Sequence, residues 1–264
     1  MAEDRYTHGH HESVVKAHAT RTIANSAAYL APHLEPGMSL IDVGCGPGTI
    51  SCELAERLRP GRVLGVDRSS DVIDRAGLRA GDSTAEFAVM DLYSLDIADD
   101  TFDVAHAHQV LQHVSDPVAA LREMRRVVRP GGIVAVRDAD YAAMHWSPAS
   151  PMLDRWLQVY RTLAYQNGAE PDAGRHLLAW AHKAGFDDVS PSADTWLFAT
   201  DKARTWWGST WAERIVNSSL ASQAIEHGLS TADELEEIAA GWHSWMTEPS
   251  GWFVVVHGEL ICRV

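Results

Sequence analysis

The chain of 264 residues carries 36 acidic against 22 basic side chains, a formal charge of −14, which disfavours a large basic surface for nucleic acid or an anionic membrane. Cys45, Cys52 and Cys262 make no disulfide framework, and no apolar run approaches the roughly 20 residues needed to cross a bilayer. With an acidic start at Met1-Ala2-Glu3-Asp4-Arg5 and no apolar segment behind it, a soluble, cytoplasmic protein with an ample core is expected.

Apolar residues at helical spacing (Val15, Ala19, Ile23, Ala27, Leu30) predict a helix from about Glu12 to Leu34, ended by Pro36-Gly37. A short buried strand, Leu40-Ile41-Asp42-Val43, then enters the turn Gly44-Cys45-Gly46-Pro47-Gly48 and a helix through Ile50, Leu54 and Leu58. The alternation continues with strands at Val63–Val66, Phe87–Val89, Phe102–Ala105 and Ile133–Val136. Helices are predicted over Ser70–Ala80 and from Asp116-Pro117, an N-cap followed by a first-turn proline. Strands alternating with helices mean a mainly parallel sheet covered on both faces.

After residue 140 the rhythm changes. Helices are predicted over about 150–166 and 173–184, through Trp206, Trp207 and Trp211, and over about 231–246, with strands at Thr195–Ala199 and Trp252–Ile261. The last strand suits an antiparallel edge. The fold expected is α/β, a Rossmann-like, mainly parallel seven-stranded sheet with an antiparallel C-terminal strand and a helical cap. Its parts would be an N-terminal lid segment and helix (1–37), a core (38–140), and a cap completing the sheet with the last two strands (141–264). All ten tryptophans, from Trp146 to Trp252, fall in the second half.

The glycine turn selects among ligands. A dinucleotide fingerprint needs a third glycine where Thr49 stands, and no Gly-Lys-Ser/Thr follows for a phosphate loop. Asp42 before the turn is awkward beside a pyrophosphate and welcome beside an ammonium group. S-adenosylmethionine meets those demands: its ammonium suits Asp42, its carboxylate suits N–H groups at a helix start, and glycines admit close approach. Asp67 and Asp91, each ending a strand, suit ribose hydroxyls and the adenine amino group.

Leu40 to Gly48 resembles motif I of the class I S-adenosylmethionine-dependent methyltransferases. Val63–Asp67, Val89-Met90-Asp91, Phe102-Asp103-Val104 and Arg129-Pro130-Gly131-Gly132 resemble the later motifs of that family in order and spacing. The segment from Ala107 to Pro117 is similar to the small-molecule enzymes of the ubiquinone/menaquinone-biosynthesis type. The likeness spans roughly residues 38–138. It implies that Asp42, Gly44, Gly46 and Gly48 hold the methionine part, Asp67 with Arg68 the ribose, and Asp91 with Leu92 the adenine. His106 to Gln109 would lie beside the sulfonium. Neither the Asn/Asp-Pro-Pro-aromatic motif of amino-methylating DNA enzymes nor the paired glutamates of protein-arginine enzymes follows strand four.

Methyl transfer requires positioning and water exclusion, with a base only where the acceptor must lose a proton. Candidates for that work are His108 and His113, Asp138 after the fifth strand, and Tyr6 facing the sulfonium from a lid. Asp140, Tyr141, Trp146, Trp206, Trp207 and Trp211 are candidates for the substrate wall, with Asp138 and Asp140 sharing a strand face. The N-terminal histidines His8, His10 and His11 read as part of a lid rather than a metal site. The expected activity is methyl transfer to a hydrophobic, aromatic small molecule, with carbon preferred over nitrogen or oxygen by the resemblance. A non-catalytic S-adenosylmethionine-binding protein is the alternative, and a homodimer is compatible with either.

Overall fold

The computed structural model describes Thr7 and residues 20–264. One seven-stranded sheet runs in the order β3-β2-β1-β4-β5-β7-β6. Its strands are β1 Leu40–Val43, β2 Val63–Asp67, β3 Glu86–Val89, β4 Phe102–His108, β5 Val128–Ser147, β6 Val189–Phe198 and β7 Trp252–Arg263. β1 to β5 pair in parallel, and β7 is antiparallel to both of its neighbours. The terminal strand is therefore antiparallel as expected, but it lies inside the sheet rather than at the edge. Its apolar residues (Phe253, Val255, Leu260, Ile261) are buried between two neighbours. β6, with Ser190, Pro191, Ser192 and Asp194, is the strand that tolerates an open edge.

The helices are α1 Ile23–Ser26, α2 Thr49–Leu58, α3 Ser70–Ala80, α4 Pro117–Val127, α5 Pro151–Gln166, α6 Leu177–Ala184, α7 Asp201–Asn217, α8 Ser219–Glu226 and α9 Ala232–Met246. The described part of the long helix expected before Leu34 is broken. Thr22 and Asn25 form a reciprocal capping box that starts α1 at Ile23, and a separate 3-10 turn spans Ala31–His33. At α4, Asp116 accepts the Ala119 N–H at 2.9 Å, as its place before Pro117 predicts.

β5 is far longer than the four residues expected. β7 pairs with it from Ile133 opposite Arg263 to Ser147 opposite Trp252, with a register shift between Asp140 and His145, so position 140 falls inside a continuous strand. Strand alternation divides the core. Val43, Ala107, Val136 and Leu260 pack under α4 and α6, while Leu40, Val104 and Ala135 pack against α2. The second half adds an aromatic core in which Trp156, Trp211, Trp242 and Phe253 are fully buried.

Candidate active site

The turn between β1 and α2 holds Gly44, Gly46 and Gly48 at φ of 67°, 55° and 75°, a left-handed backbone that side-chain-bearing residues rarely adopt. Gly48 is the N-cap of α2 and offers no side-chain bond to the helix start, the end of a helix that suits a ligand carboxylate. At the end of β2, Asp67 accepts the Gly46 N–H at 3.3 Å with one oxygen and the Ser69 N–H at 3.0 Å with the other. Its neighbour Arg68 is exposed. Beyond β3, exposed Asp91 accepts the Tyr93 N–H at 2.9 Å, and Leu92 is half-buried against the core. The C-terminal ends of β3, β2, β1 and β4 thus bring the glycine turn, Asp67 and Asp91 to one side of the sheet. That arrangement fits an S-adenosylmethionine: a helix start with no side-chain cap from Gly48, a crowded turn whose positions 44, 46 and 48 carry no Cβ, and carboxylates at two adjacent strand ends.

Asp42 departs from the expected direct contact with the ammonium. It is only 2% exposed, accepts the Ser51 hydroxyl at 2.5 Å, and lies 2.8 Å from His106 Nδ1. It ties β1, β4 and α2 together beneath the turn. His106, which was expected beside the sulfonium, is consumed by that bond inside the sheet. Both side chains point to the α2 face because their registered strand positions face the same way.

His108 is also buried. Its ring centroid lies 5.8 Å from that of Trp196 and 6.2 Å from that of His257. Burial first, then Arg21 and Arg137, push its pKa well below the ordinary histidine value. His108 is therefore a neutral packing ring in the sheet rather than a group facing a substrate. Gln109, with φ of 54°, turns the chain out of β4. Its amide nitrogen donates to His257 Nε2 at 2.9 Å and its oxygen accepts from Arg21. His113 accepts from the Gln112 amide at 2.9 Å. Burial, reinforced by Arg21 and Arg214, lowers its pKa to about 3, which makes it a hydrogen-bonding group and a weak base.

A cavity of about 330 Å³ opens beside this loop. Gln109, Gln112 and His113 line it from the β4 side, Ala139 and Tyr141 from β5, and Trp196 and Phe198 from β6. α7 contributes Trp206, Trp207, Trp211 and Arg214. Of the expected substrate wall, Tyr141 and the three α7 tryptophans are in this lining. Trp146 is not: it stacks on Phe253 at 5.5 Å and borders a separate surface groove. Tyr6, His8, His10 and His11 lie outside the described residues. Arg214, Trp196 and His257 escaped the sequence reading. Arg214 had a signal, since Trp207, Trp211 and Arg214 recur at helical spacing and share one face of α7.

Asp138 and Asp140 do share a face of β5, but the cavity lies on the other, which Ala139 and Tyr141 occupy. Asp140 is buried in an ion pair with Arg175 at 2.6 Å and accepts the Ala143 N–H, so it is structural and not a substrate contact. Asp138 is 0% exposed and accepts the Gln112 N–H at 3.0 Å, while the Gln112 side chain accepts the Ala139 N–H. This reciprocal clamp fixes the β4 loop from beneath.

Burial pushes the Asp138 pKa up to about 7. The folded chain keeps this proton to about pH 7, whereas the unfolded chain releases it near pH 4, so stability falls as pH rises through that interval. Asp138→Asn keeps an acceptor for Gln112 and cannot ionise. We expect it to exceed the parent by about 2 kcal/mol at pH 8, with a smaller advantage at pH 5. Urea midpoints at the two pH values check this, and an advantage independent of pH would show that ionisation is not the cause.

Residues 34–190 match the family described as methyltransferase domain. An uncharacterized methyltransferase of Schizosaccharomyces pombe is 30% identical over 98% of this chain and 96% of its own. A 2-phytyl-1,4-naphtoquinone methyltransferase of Synechococcus elongatus is 34% identical over 48% of this chain and 54% of its own. Among solved structures, one of a putative methyltransferase from Bacillus halodurans superposes with a TM-score of 0.57 at 15% identity, covering 89% of this chain and 97% of that one. The glycine turn, the strand-end carboxylates and these matches agree, and the chain belongs to the class I S-adenosylmethionine-dependent methyltransferases.

Proposed function

We propose that the chain methylates a hydrophobic, aromatic small molecule in the cavity between the β4 loop and α7, with carbon the favoured acceptor atom. The observation that carries this reading is continuity: Gln109 and His113 leave the strand next to the glycine turn and also line an aromatic cavity of about 330 Å³. Since a cavity of about 150 Å³ holds benzene, this space suits roughly two rings. The naphthoquinone substrate named for the Synechococcus relative is of that ring class.

S-adenosylmethionine would supply a methyl group on a sulfonium, held by Asp67, Asp91 and the Gly44–Gly48 turn. The chain's task is then to align the acceptor and exclude water. Trp207, Trp211 and Tyr141 supply flat apolar walls. Gln109 and neutral His113 supply hydrogen bonds that orient polar substituents. The segment from residue 141 onward acts as the substrate cap.

Native mass spectrometry with S-adenosylhomocysteine, followed by a panel of quinols, indoles and phenols screened for a 14-dalton gain, tests the reading. Cofactor binding without turnover on any of them would favour a non-catalytic binding protein. Asp67→Ala removes the ribose acceptor and the partner of the Gly46 N–H. Calorimetry should show S-adenosylhomocysteine binding weakened by about 1–3 kcal/mol, and unchanged affinity would displace Asp67 from the site.

A further inference from the structure

Tyr141 and Met144 stand three apart on β5, and in a regular strand they would face opposite sides of the sheet. Both nonetheless line the cavity. The reason is the register shift in β5. Asp140 pairs with Val256 and His145 with Val254, so the four residues from Tyr141 to Met144 stand opposite Val255 alone, an enlarged bulge of the kind that re-aims side chains beside a site. The surplus is odd, so the face turned toward the aromatic side changes from Ala139 before the bulge to Trp146, stacked on Phe253, after it. Backbone N–H groups released from the ladder need other acceptors. Tyr141 donates to the Pro171 carbonyl at 3.2 Å, Ala142 to Asp172 Oδ1 at 2.9 Å and Ala143 to Asp140 Oδ1 at 3.1 Å.

Asp172 is the centre of that stitch. It precedes the 3-10 turn Ala173–Arg175 and is 3% exposed. Besides the Ala142 N–H, its Oδ1 accepts Arg161 Nε at 3.1 Å, and its Oδ2 accepts Arg161 Nη2 at 2.5 Å and the Tyr165 hydroxyl at 2.9 Å. A carboxylate has lone pairs for all four donors, which a side-chain amide with its single oxygen cannot match. Arg161 and Tyr165 lie one helical turn apart on α5, the helix that Trp156 anchors in the aromatic core. Resting on the aromatic-acceptor reading above, we propose that Asp172 is a positioning residue for the acceptor, tying the β5 bulge to α5 and so holding Tyr141 and Met144 in the cavity. It acts through the backbone of Ala142. Two walls of the cavity then differ in kind. The α7 wall is made of packed rings, whereas the β5 wall is a backbone bulge whose shape depends on one carboxylate.

Hydrogen exchange at the Ala142 amide, followed by NMR on the full chain, reads the stitch. Calorimetry with 1-naphthol, indole and catechol in the presence of S-adenosylhomocysteine reads the cavity. Asp172→Ala should speed that exchange and weaken the tightest-binding probe, each by about tenfold or more, with S-adenosylhomocysteine affinity unchanged. Asp172→Asn keeps an oxygen for the Ala142 amide but meets Arg161 without a charge, and should weaken the probe by about threefold. It decides the matter if the alanine variant does not fold. Glu234→Ala is the structural control, because it breaks the pair that Arg155 of α5 makes with α9 at 2.7 Å and leaves the bulge alone. It should keep parental exchange at Ala142 and parental probe affinity. Asp172 variants that bind the probe as the parent does overturn the proposal. So does a Glu234→Ala variant that loses as much affinity, since lost stability alone would then explain the effect. A parent that binds S-adenosylhomocysteine but none of the probes overturns the aromatic-acceptor reading itself, and the proposal falls with it, so the two failures are distinct.

Discussion

Trp156→Ala is expected to cost about 3–5 kcal/mol of folding stability, read as a lowered urea midpoint. Trp156 projects from α5 into the middle of the aromatic core and is 0% exposed. Its ring meets Trp211 at 4.5 Å and Trp242 at 4.9 Å, both edge to face, with Phe253 at 6.2 Å. Alanine leaves a void that these rigid rings cannot close, because each is held by other neighbours: Trp242 by Trp245 and Phe253, and Trp211 by Tyr160 and Trp207.

The conservative change separates packing from polarity. The Trp156 indole nitrogen is buried with no hydrogen-bond partner among the described residues, so Trp156→Phe loses volume but also removes an unsatisfied donor. Its cost should stay below about 2 kcal/mol. Equal losses for Phe and Ala would mean that the indole nitrogen carries the effect and that the packing account is wrong. Because Trp211 is both a neighbour of Trp156 and part of the cavity wall, the alanine variant should also weaken binding of aromatic ligands while leaving the glycine turn intact.

The two halves of the chain differ in how openly their sequences state their structure. In the first half, local signals and tertiary structure coincide. The four strands from β1 to β4 and the helix Ser70–Ala80 emerge where periodicity places them, and Asp67 and Asp91 stand at strand ends because a βα unit delivers its C-terminal residues to one edge. In the second half the deciding contacts are long-range. β5 extends through Asp138-Ala139-Asp140-Tyr141, where polar and apolar residues alternate but nothing local says how far the strand runs; its length follows from β7, which pairs with it from about 120 residues away. The face of each residue follows from that pairing. Tyr141 reaches the cavity and Asp140 does not, and no count along the sequence says which face the cavity will occupy.

The tryptophans show the same limit. Their number declares an aromatic region, but Trp206, Trp207 and Trp211 line the cavity while Trp146 stacks elsewhere and Trp156 and Trp242 serve the core. At the sheet centre the limit is chemical. His106 and His108 follow a strand in the position of a ligand-facing loop, yet β4 continues to His108 and buries both. The first residue free to turn toward a ligand is Gln109, and its left-handed backbone marks the place where the strand ends.

Gly48→Val is expected to abolish measurable cofactor binding and to lower stability by about 2–5 kcal/mol, the sum of left-handed strain and overpacking. At φ 75° a β-branched residue is strained whatever the space around it. The space is also taken: a Cβ here would lie 2.6 Å from Phe87 Cζ and 3.1 Å from the Ala76 Cβ. The same Phe87 ring also fills the gap over Gly65, whose own added Cβ would meet it at 2.7 Å, so moving the ring away empties that space. The steric load therefore passes to α2, whose first turn begins at the next residue and which, in the proposed binding mode, would meet the cofactor carboxylate.

Gly37→Ala is the control. Its φ is 93°, and among the described residues nothing lies within 4 Å of an added Cβ, so it bears the conformational strain alone, about 1–2 kcal/mol. Calorimetry with S-adenosylhomocysteine should therefore show loss of binding in Gly48→Val and parental affinity in Gly37→Ala. If Gly48→Val is destabilised no more than the control and still binds, the close packing of β3 against the glycine turn is not what shapes the cofactor site. If it is destabilised as expected yet binds normally, the start of α2 does not hold the cofactor, and Asp67 and Asp91 must carry it without that helix.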